Sequence, residues 1–75
     1  MDGYISNFDN LKLELTNYKR NGVTFCINGI PANIEQILNA HMIKGISYYM
    51  RDYLFSTHGH LLFLSFNSPL EISHI

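Results

Sequence analysis

Residues 33–44 read NIEQILNAHMIK, and this is the clearest helical pattern in the chain. One stripe of side chains recurs at the spacing i, i+3, i+4, i+7 and i+8, and it consists of Ile34, Ile37, Leu38, His41 and Met42. Asn33 and Gln36 have the spacing of a capping box, and Gly45 follows the last turn as a stop signal. Because a helix of about three turns is not stable alone in water, we expect it to pack on a sheet formed by the residues on either side.

The residues before this helix predict a β-hairpin over 11–28. Residues 11–16, LKLELT, alternate apolar and polar side chains, as a strand with one buried face does. Residues 23–28, VTFCIN, alternate in the same way, and Asn21-Gly22 between the two runs is a typical hairpin turn sequence. A three-residue loop puts both apolar sets on one face and requires the left-handed conformation at Gly22.

The same N-terminal residues also allow a helix. Phe8, Leu11, Leu15 and Tyr18 lie at helical spacing, and Ser6 with Asp9 has the spacing of a capping pair. We favour the strand because Leu13 falls outside the helical stripe and because residues 23–28 offer a partner strand.

The residues after the helix predict a second hairpin over 46–66. The stretch 46–55, ISYYMRDYLF, is dense in aromatic residues, which favour strands. A turn follows at residues 57–59, and 61–66, LLFLSF, read as a nearly continuous apolar strand. Asn67-Ser68-Pro69 ends this strand, and residues 70–75 form a short strand or tail. Residues 46–55 also fit a helix, which would give a helix-turn-helix outline, but their aromatic density favours the strand.

These elements predict one α+β domain over residues 1–75, in the order ββαββ after an irregular N-terminal segment, 1–10. An antiparallel β-sheet is built from two hairpins and a short C-terminal strand, and one helix covers one face. A three-residue loop in the second hairpin pairs Leu54 with Leu62 and Met50 with Phe66 on the covered face. Asp52 is discordant there. It marks either a sheet edge or a contact with a partner, and we favour the edge.

The opposite face of the second hairpin is then aromatic and is the predicted interface. Its residues are Tyr49, Tyr53, Phe55, Leu61 and Phe63. Tyrosine and phenylalanine are enriched at interface cores because each buries a large area at small entropic cost. We therefore expect a second chain, rather than the chain's own termini, to cover this face.

Length and composition point to the same conclusion. The chain has 75 residues, of which 47% are hydrophobic and 15% charged. In a domain of this size the hydrophobic gain and the conformational entropy cost nearly cancel, so an additional source of stability is needed. The single cysteine, Cys26, excludes an internal disulfide framework. Association with its own copy as a homodimer is the remaining common solution.

Other function classes find less support in the residues. Five Lys and Arg against six Asp and Glu argue against a nucleic-acid binder, although an accessory nucleic-acid-binding regulator remains the alternative. His58 and His60 flank a glycine, but with His41, His74 and Cys26 they match no zinc-site spacing. We therefore expect no catalytic residue, metal, cofactor or small-molecule substrate.

From the sequence we expect neither a signal peptide nor a membrane-spanning segment. Residues 1–4, MDGY, lack the basic start of a signal peptide, and no run of about 18 apolar residues could span a bilayer. Abundant Asn and Ile with Ala only at 32 and 40 suggest a low-GC bacterium or its phage. The sequence thus predicts a cytoplasmic, non-enzymatic protein that acts by protein–protein interaction, as a regulatory or inhibitor module with itself and a protein target as partners.

Overall fold

The computed structural model describes residues 7–69, which form two helices and one four-stranded sheet. In chain order the elements are α1 (Asn7–Arg20), β1 (Thr24–Ile27), β2 (Ile30–Ala32), α2 (Ile34–Lys44), β3 (Met50–Phe55) and β4 (Leu61–Asn67). The strands lie in the order β2-β1-β4-β3; β1 and β4 are parallel, and the other two pairs are antiparallel. The α+β class is confirmed, but the sheet is mixed and its order is not that of the predicted ββαββ sheet. The predicted strand or tail at 70–75 lies outside the described residues, as do residues 1–6.

The predicted strand over residues 11–16 is wrong, because this segment lies inside α1. Leu11 and Leu15 are buried, whereas Leu13 points to solvent. Alternation over six residues arises in a helix whenever one leucine lies on its exposed face, so only the longer stripe from Phe8 to Tyr18 separates the two interpretations. Residues 7–10 belong to the same helix, so the predicted irregular segment is also wrong there.

Asn21-Gly22 ends α1 instead of connecting two strands. Gly22 has the predicted left-handed backbone, with φ of 84°. Its N–H donates to the Lys19 carbonyl at 3.0 Å, and the Val23 N–H donates to the Tyr18 carbonyl at 3.1 Å. These are the two hydrogen bonds of a Schellman cap. Helix caps and tight hairpins both need a left-handed residue, so the dipeptide does not distinguish them.

The first hairpin of the fold lies at the next Asn-Gly pair. β1 and β2 are antiparallel with Ile27 opposite Ile30. Asn28 and Gly29 between them both have positive φ, 50° and 82°, as a two-residue type I′ turn requires. Asn28 also joins the turn to the end of β4: its Oδ1 accepts from the Ser68 N–H at 2.9 Å and its Nδ2 donates to Ser68 Oγ at 3.1 Å.

The helix predicted over residues 33–44 is confirmed as α2. The Asn33 side chain accepts from the Gln36 N–H, and the Gln36 side chain accepts from the Asn33 N–H, each at 2.8 Å. This reciprocal capping box satisfies donors that the first helical turn leaves unpaired. At the other end the Gly45 N–H donates to the His41 carbonyl, and Gly45 has a φ of 107°.

The second hairpin is confirmed between Met50 and Asn67, but residues 46–49 precede its first strand, and its predicted register is wrong beyond the first pair. Phe55 lies opposite Leu61 next to the turn. An irregularity between Leu54 and Phe55 then shifts the pairing by one residue, so that Leu54 faces Phe63 and Met50 faces Asn67. A shift of one residue moves side chains to the opposite face. The strand at 50–55 also contradicts the helix-turn-helix alternative.

Both helices pack on the same face of the sheet. Seven buried apolar side chains form one core: Leu11, Leu15, Val23, Phe25, Ile37, Leu64 and Phe66. The three of these that lie in strands share a face, because Phe25 pairs with Leu64, and Phe66 is two residues further along β4. His41 of α2 is only 2% exposed and joins this core, with its ring 5.1 Å from that of Phe66 and Nδ1 2.8 Å from the Ile37 carbonyl oxygen. The result is a two-layer domain in which helices cover one side of the sheet.

Candidate interaction surface

β3 is the longer of the two edge strands of the sheet. Within residues 7–69 it pairs with β4 alone, so one row of its backbone N–H and C=O groups faces outward. The other edge strand, β2, has three residues and contains Pro31, which has no N–H to donate. β3 has six residues and no proline. It is therefore the edge that offers the longer row of backbone groups to a partner strand.

The two charged residues of β3 are both engaged within the chain. Arg51 Nη1 and Nη2 donate to the Glu14 carboxylate of α1 at 2.6 and 3.1 Å. On the other face, Asp52 Oδ2 accepts from Asn67 Nδ2 of β4 at 2.6 Å. The interpretation of Asp52 as an edge marker is confirmed, since β3 is an edge strand. Because both charges have partners in the chain, neither extends outward as the unpaired charge that often protects an edge.

Arg51 links the edge strand to the helical layer. Besides Glu14 it donates to the Tyr53 hydroxyl at 3.2 Å, and its guanidinium lies 5.2 Å from the centre of the Phe66 ring. Hydrogen bonding to the Glu14 carboxylate raises the pKa of Arg51 above its ordinary value. On α1, partial burial raises the pKa of Tyr18, and the nearby Glu14 carboxylate raises it further.

The structure does not bring the five predicted interface residues to one face. Tyr53 and Phe55 lie on the helix side, with their rings stacked 6.4 Å apart and both side chains exposed. Leu61 packs against the core on that side. Phe63 lies on the opposite face, because its partner is Leu54 and not Tyr53. Tyr49 precedes β3 and packs its ring 4.9 Å from the buried His41.

The face of the sheet opposite the helices is apolar at the same edge. Met50, Leu54 and Phe63 are exposed there, although the predicted register had assigned Met50 and Leu54 to the helix-covered side. None of the helices within residues 7–69 packs on this face. Sequence reasoning missed Met50 and Leu54 as surface residues because the irregularity, which leaves Leu62 of β4 unpaired, has no signature in the sequence, such as a glycine in β4.

The edge strand is thus apolar and exposed on both of its faces. The side chains of Tyr53 and Phe55 are exposed on its helix side, and those of Met50 and Leu54 are exposed on its open side. An edge with these properties pairs readily with another strand, since backbone hydrogen bonds and apolar burial then act together.

The histidines of the β3–β4 turn contribute to its backbone structure. The Ser56 hydroxyl accepts from the His58 and His60 N–H groups at 3.2 and 3.1 Å, and Gly59 has a φ of 85°. No cluster of three or more His, Cys, Asp or Glu residues that could hold a metal occurs between residues 7 and 69. Cys26 lies on β1, half-buried.

A cleft of about 310 Å³ opens at the β2 side of the domain, far from β3 in the strand order. It is lined by Lys19, Val23, Thr24, Phe25, Pro31, Ala32, Asn33, Ile34 and Gln36. Lys19 is the one ionisable side chain in this lining. The cleft therefore offers no convergent acid and base of the kind that general acid–base catalysis uses.

Neither of the helices described between residues 7 and 69 has the length and apolar character needed to cross a membrane. Comparison with protein-family models, with curated proteins and with solved structures finds no match.

Proposed function

We propose that this protein is a small, non-enzymatic cytoplasmic interaction module that works as a homodimer formed through the β3 edge. The observation that carries the proposal is the combination found at one strand: an open six-residue edge, two charges already paired within the chain, and exposed apolar side chains on both faces. A regulatory or inhibitory role toward a protein target would use the same kind of contact.

The charges of the chain permit self-association. The net charge is −1, so two copies repel each other weakly. At β3 the Arg51 side chain is bonded to Glu14 and the Asp52 side chain to Asn67. Pairing β3 with a second copy would therefore bury no unpaired charge in the contact.

Apolar burial supplies the energy for such a contact. Tyr53 and Phe55 lie side by side on the helix-side face of the edge, where a second copy would cover them. Removing apolar area from water contributes about 25 cal/mol per Å². Backbone pairing gives the contact its direction, and these side chains give it affinity.

Light scattering on the full chain tests the proposal. At about 100 μM the wild type is expected to have the mass of a dimer, since a dissociation constant of about 10 μM or less is enough for that. A strict monomer at this concentration would contradict the proposal.

A pair of lysine variants locates the contact. Tyr53→Lys places a charge at the centre of the edge, and we expect the dissociation constant to rise by about tenfold or more. Leu13→Lys adds the same charge at an exposed leucine of α1, away from the sheet edge, and is expected to leave the dimer unchanged. Equal effects of the two substitutions would show that charge, not the β3 edge, controls association.

A further inference from the structure

We infer that two copies pair antiparallel along β3 with Tyr53 opposite the Tyr53 of the second copy, so that the two sheets become one of eight strands. This inference rests on the proposed function and names the partner, the direction and the register of that contact. In this arrangement the apolar side chains on each face of β3 pack beside those on the same face of the second copy, so both faces are partly covered.

Symmetry restricts the possible registers. A twofold axis perpendicular to the sheet returns each face to itself, and directly opposite residues in an antiparallel pair lie on the same face. Neighbouring residues of a strand point to opposite faces. The axis therefore has to lie midway between one residue of β3 and the same residue of the second copy, and we name each axis by that residue. Each register is therefore defined by the residue that lies opposite its own copy.

Only two registers keep most of β3 paired. An axis at Asp52 or at Tyr53 leaves five of the six residues from Met50 to Phe55 opposite a residue of the other strand, whereas an axis one residue further out in either direction leaves three. More pairs mean more backbone hydrogen bonds for the same ordering cost. The choice therefore lies between Asp52 and Tyr53.

The side chains favour the axis at Tyr53. An axis at Asp52 would place two carboxylates directly opposite each other, and like charges in that position are destabilising. An axis at Tyr53 places Asp52 opposite Leu54 and Arg51 opposite Phe55. Arg51 already lies over an aromatic ring within its own chain, at 5.2 Å from the Phe66 centre. In the dimer its stem would pack beside a second ring, that of Phe55.

Disulfide cross-linking reads the register directly. The chain has one cysteine, so Cys26→Ser gives a background without thiols. Opposite residues have Cα atoms about 4.5–5.5 Å apart and diagonal neighbours about 7–8 Å, while a disulfide needs Cα atoms within about 7 Å. In this background Tyr53→Cys is expected to form a covalent dimer on mild oxidation, at least about tenfold faster than Asp52→Cys or Leu54→Cys.

The two control variants become partners when they are mixed. Asp52→Cys and Leu54→Cys lie opposite each other in the inferred register, so their mixture is expected to cross-link although each alone does so slowly. Rapid cross-linking of Asp52→Cys alone would overturn the register in favour of the axis at Asp52. Rapid cross-linking of none of these would overturn edge pairing itself.

A second measurement leaves β3 unchanged, so it does not depend on the folding of β3 variants. It determines the distance between the two copies of Cys26. Spin labels on the native Cys26 report the separation of the two β1 strands. Because neighbouring strands lie about 4.8 Å apart, five such spacings place the two β1 strands about 25 Å from each other in the joined sheet. A backbone separation near this value supports the inference. A value below about 15 Å would indicate sheets packed face to face and would overturn it.

These outcomes separate the two proposals. A monomer in light scattering removes the proposed function and this inference together. A dimer in which Asp52→Cys cross-links rapidly by itself removes only the inferred register and leaves the homodimer at the β3 edge. A dimer that gives none of these cross-links, or the short Cys26 distance, removes the β3 edge from both proposals and leaves a homodimer formed in another way.

Discussion

Arg51 of the edge strand and Glu14 of α1 form a two-point ion pair, with N···O distances of 2.6 and 3.1 Å. The two side chains are 30% and 34% exposed, so solvent screens the pair only in part. The pair links β3 to the helical layer, and within residues 7–69 no strand pairs with the outer backbone edge of β3.

We predict a measurable coupling between these two residues. In a double-mutant cycle with Glu14→Gln and Arg51→Met, the coupling free energy should be about 1 kcal/mol, because the geometry is bidentate but the pair is partly exposed. Urea unfolding of the wild type, both single variants and the double variant measures it. Strictly additive effects would mean that the ion pair contributes nothing to stability.

A second prediction concerns the glycine that ends α1. Gly22→Ala should lower the free energy of unfolding by about 1 kcal/mol, because φ of 84° is unfavourable for a residue with a Cβ. Apart from Gly22 and its two chain neighbours, no atom of residues 7–69 lies within 4 Å of the added Cβ, so the cost comes from the backbone conformation. Gly22→Asn should cost less, since asparagine adopts this conformation more readily. An alanine variant as stable as the wild type would contradict the assigned cap.

The partly buried hydroxyl of Tyr18 predicts a loss of stability at alkaline pH. Its pKa is raised in the folded state, so the folded chain retains this proton where the unfolded chain releases it. The contribution is complete below the unfolded value of about 10 and disappears as the pH rises through the folded value. The stability of Tyr18→Phe should therefore fall less steeply above about pH 10 than that of the wild type. Parallel curves in urea unfolding across this range would refute the prediction.

The inferred register makes an unusual prediction for Leu54. Leu54→Lys places an ammonium group opposite Asp52 of the second copy, so the dimer should persist or gain up to about 1 kcal/mol. In the same light-scattering assay Tyr53→Lys should dissociate the dimer. If Leu54→Lys dissociates it equally well, Leu54 does not lie opposite a carboxylate and the register is wrong.

The parts of the fold that the sequence predicted are those with strong local signals. Helix α2 followed from its capping box at Asn33 and Gln36 and its apolar stripe, and the strands of the second hairpin followed from aromatic density. The N-terminal segment failed because the alternation through Leu11, Leu13 and Leu15 was too short to distinguish a strand from a helix with one exposed leucine.

The Asn21-Gly22 pair correctly predicted a left-handed backbone conformation at Gly22, but it did not indicate whether a hairpin or a helix end would use that conformation. Gly22 adopts the left-handed conformation as expected, but it caps a helix, and the hairpin forms at Asn28-Gly29 instead. The dipeptide specifies dihedral angles, whereas tertiary packing decides which element uses them.

The five residues predicted as the interface do not share one face of the sheet, as that prediction required. Register was extrapolated from the turn, and the irregularity at Leu54 and Phe55 moves the later pairs by one residue. As a result Phe63 pairs with Leu54 and lies on the other face of the sheet from Tyr53, and Leu54 is exposed on the open face. Bulges depend on how strands twist together, which a pattern within one strand does not encode.

The most direct test of the β3 contact is amide hydrogen exchange, measured residue by residue at a dilute and a concentrated condition. The free edge predicts that β3 amides pointing away from β4 exchange fast when dilute and become protected when concentrated. The amides of the other edge strand, β2, should exchange at the same rate in both. Unchanged exchange throughout β3, or new protection at β2 instead, would contradict association through this edge.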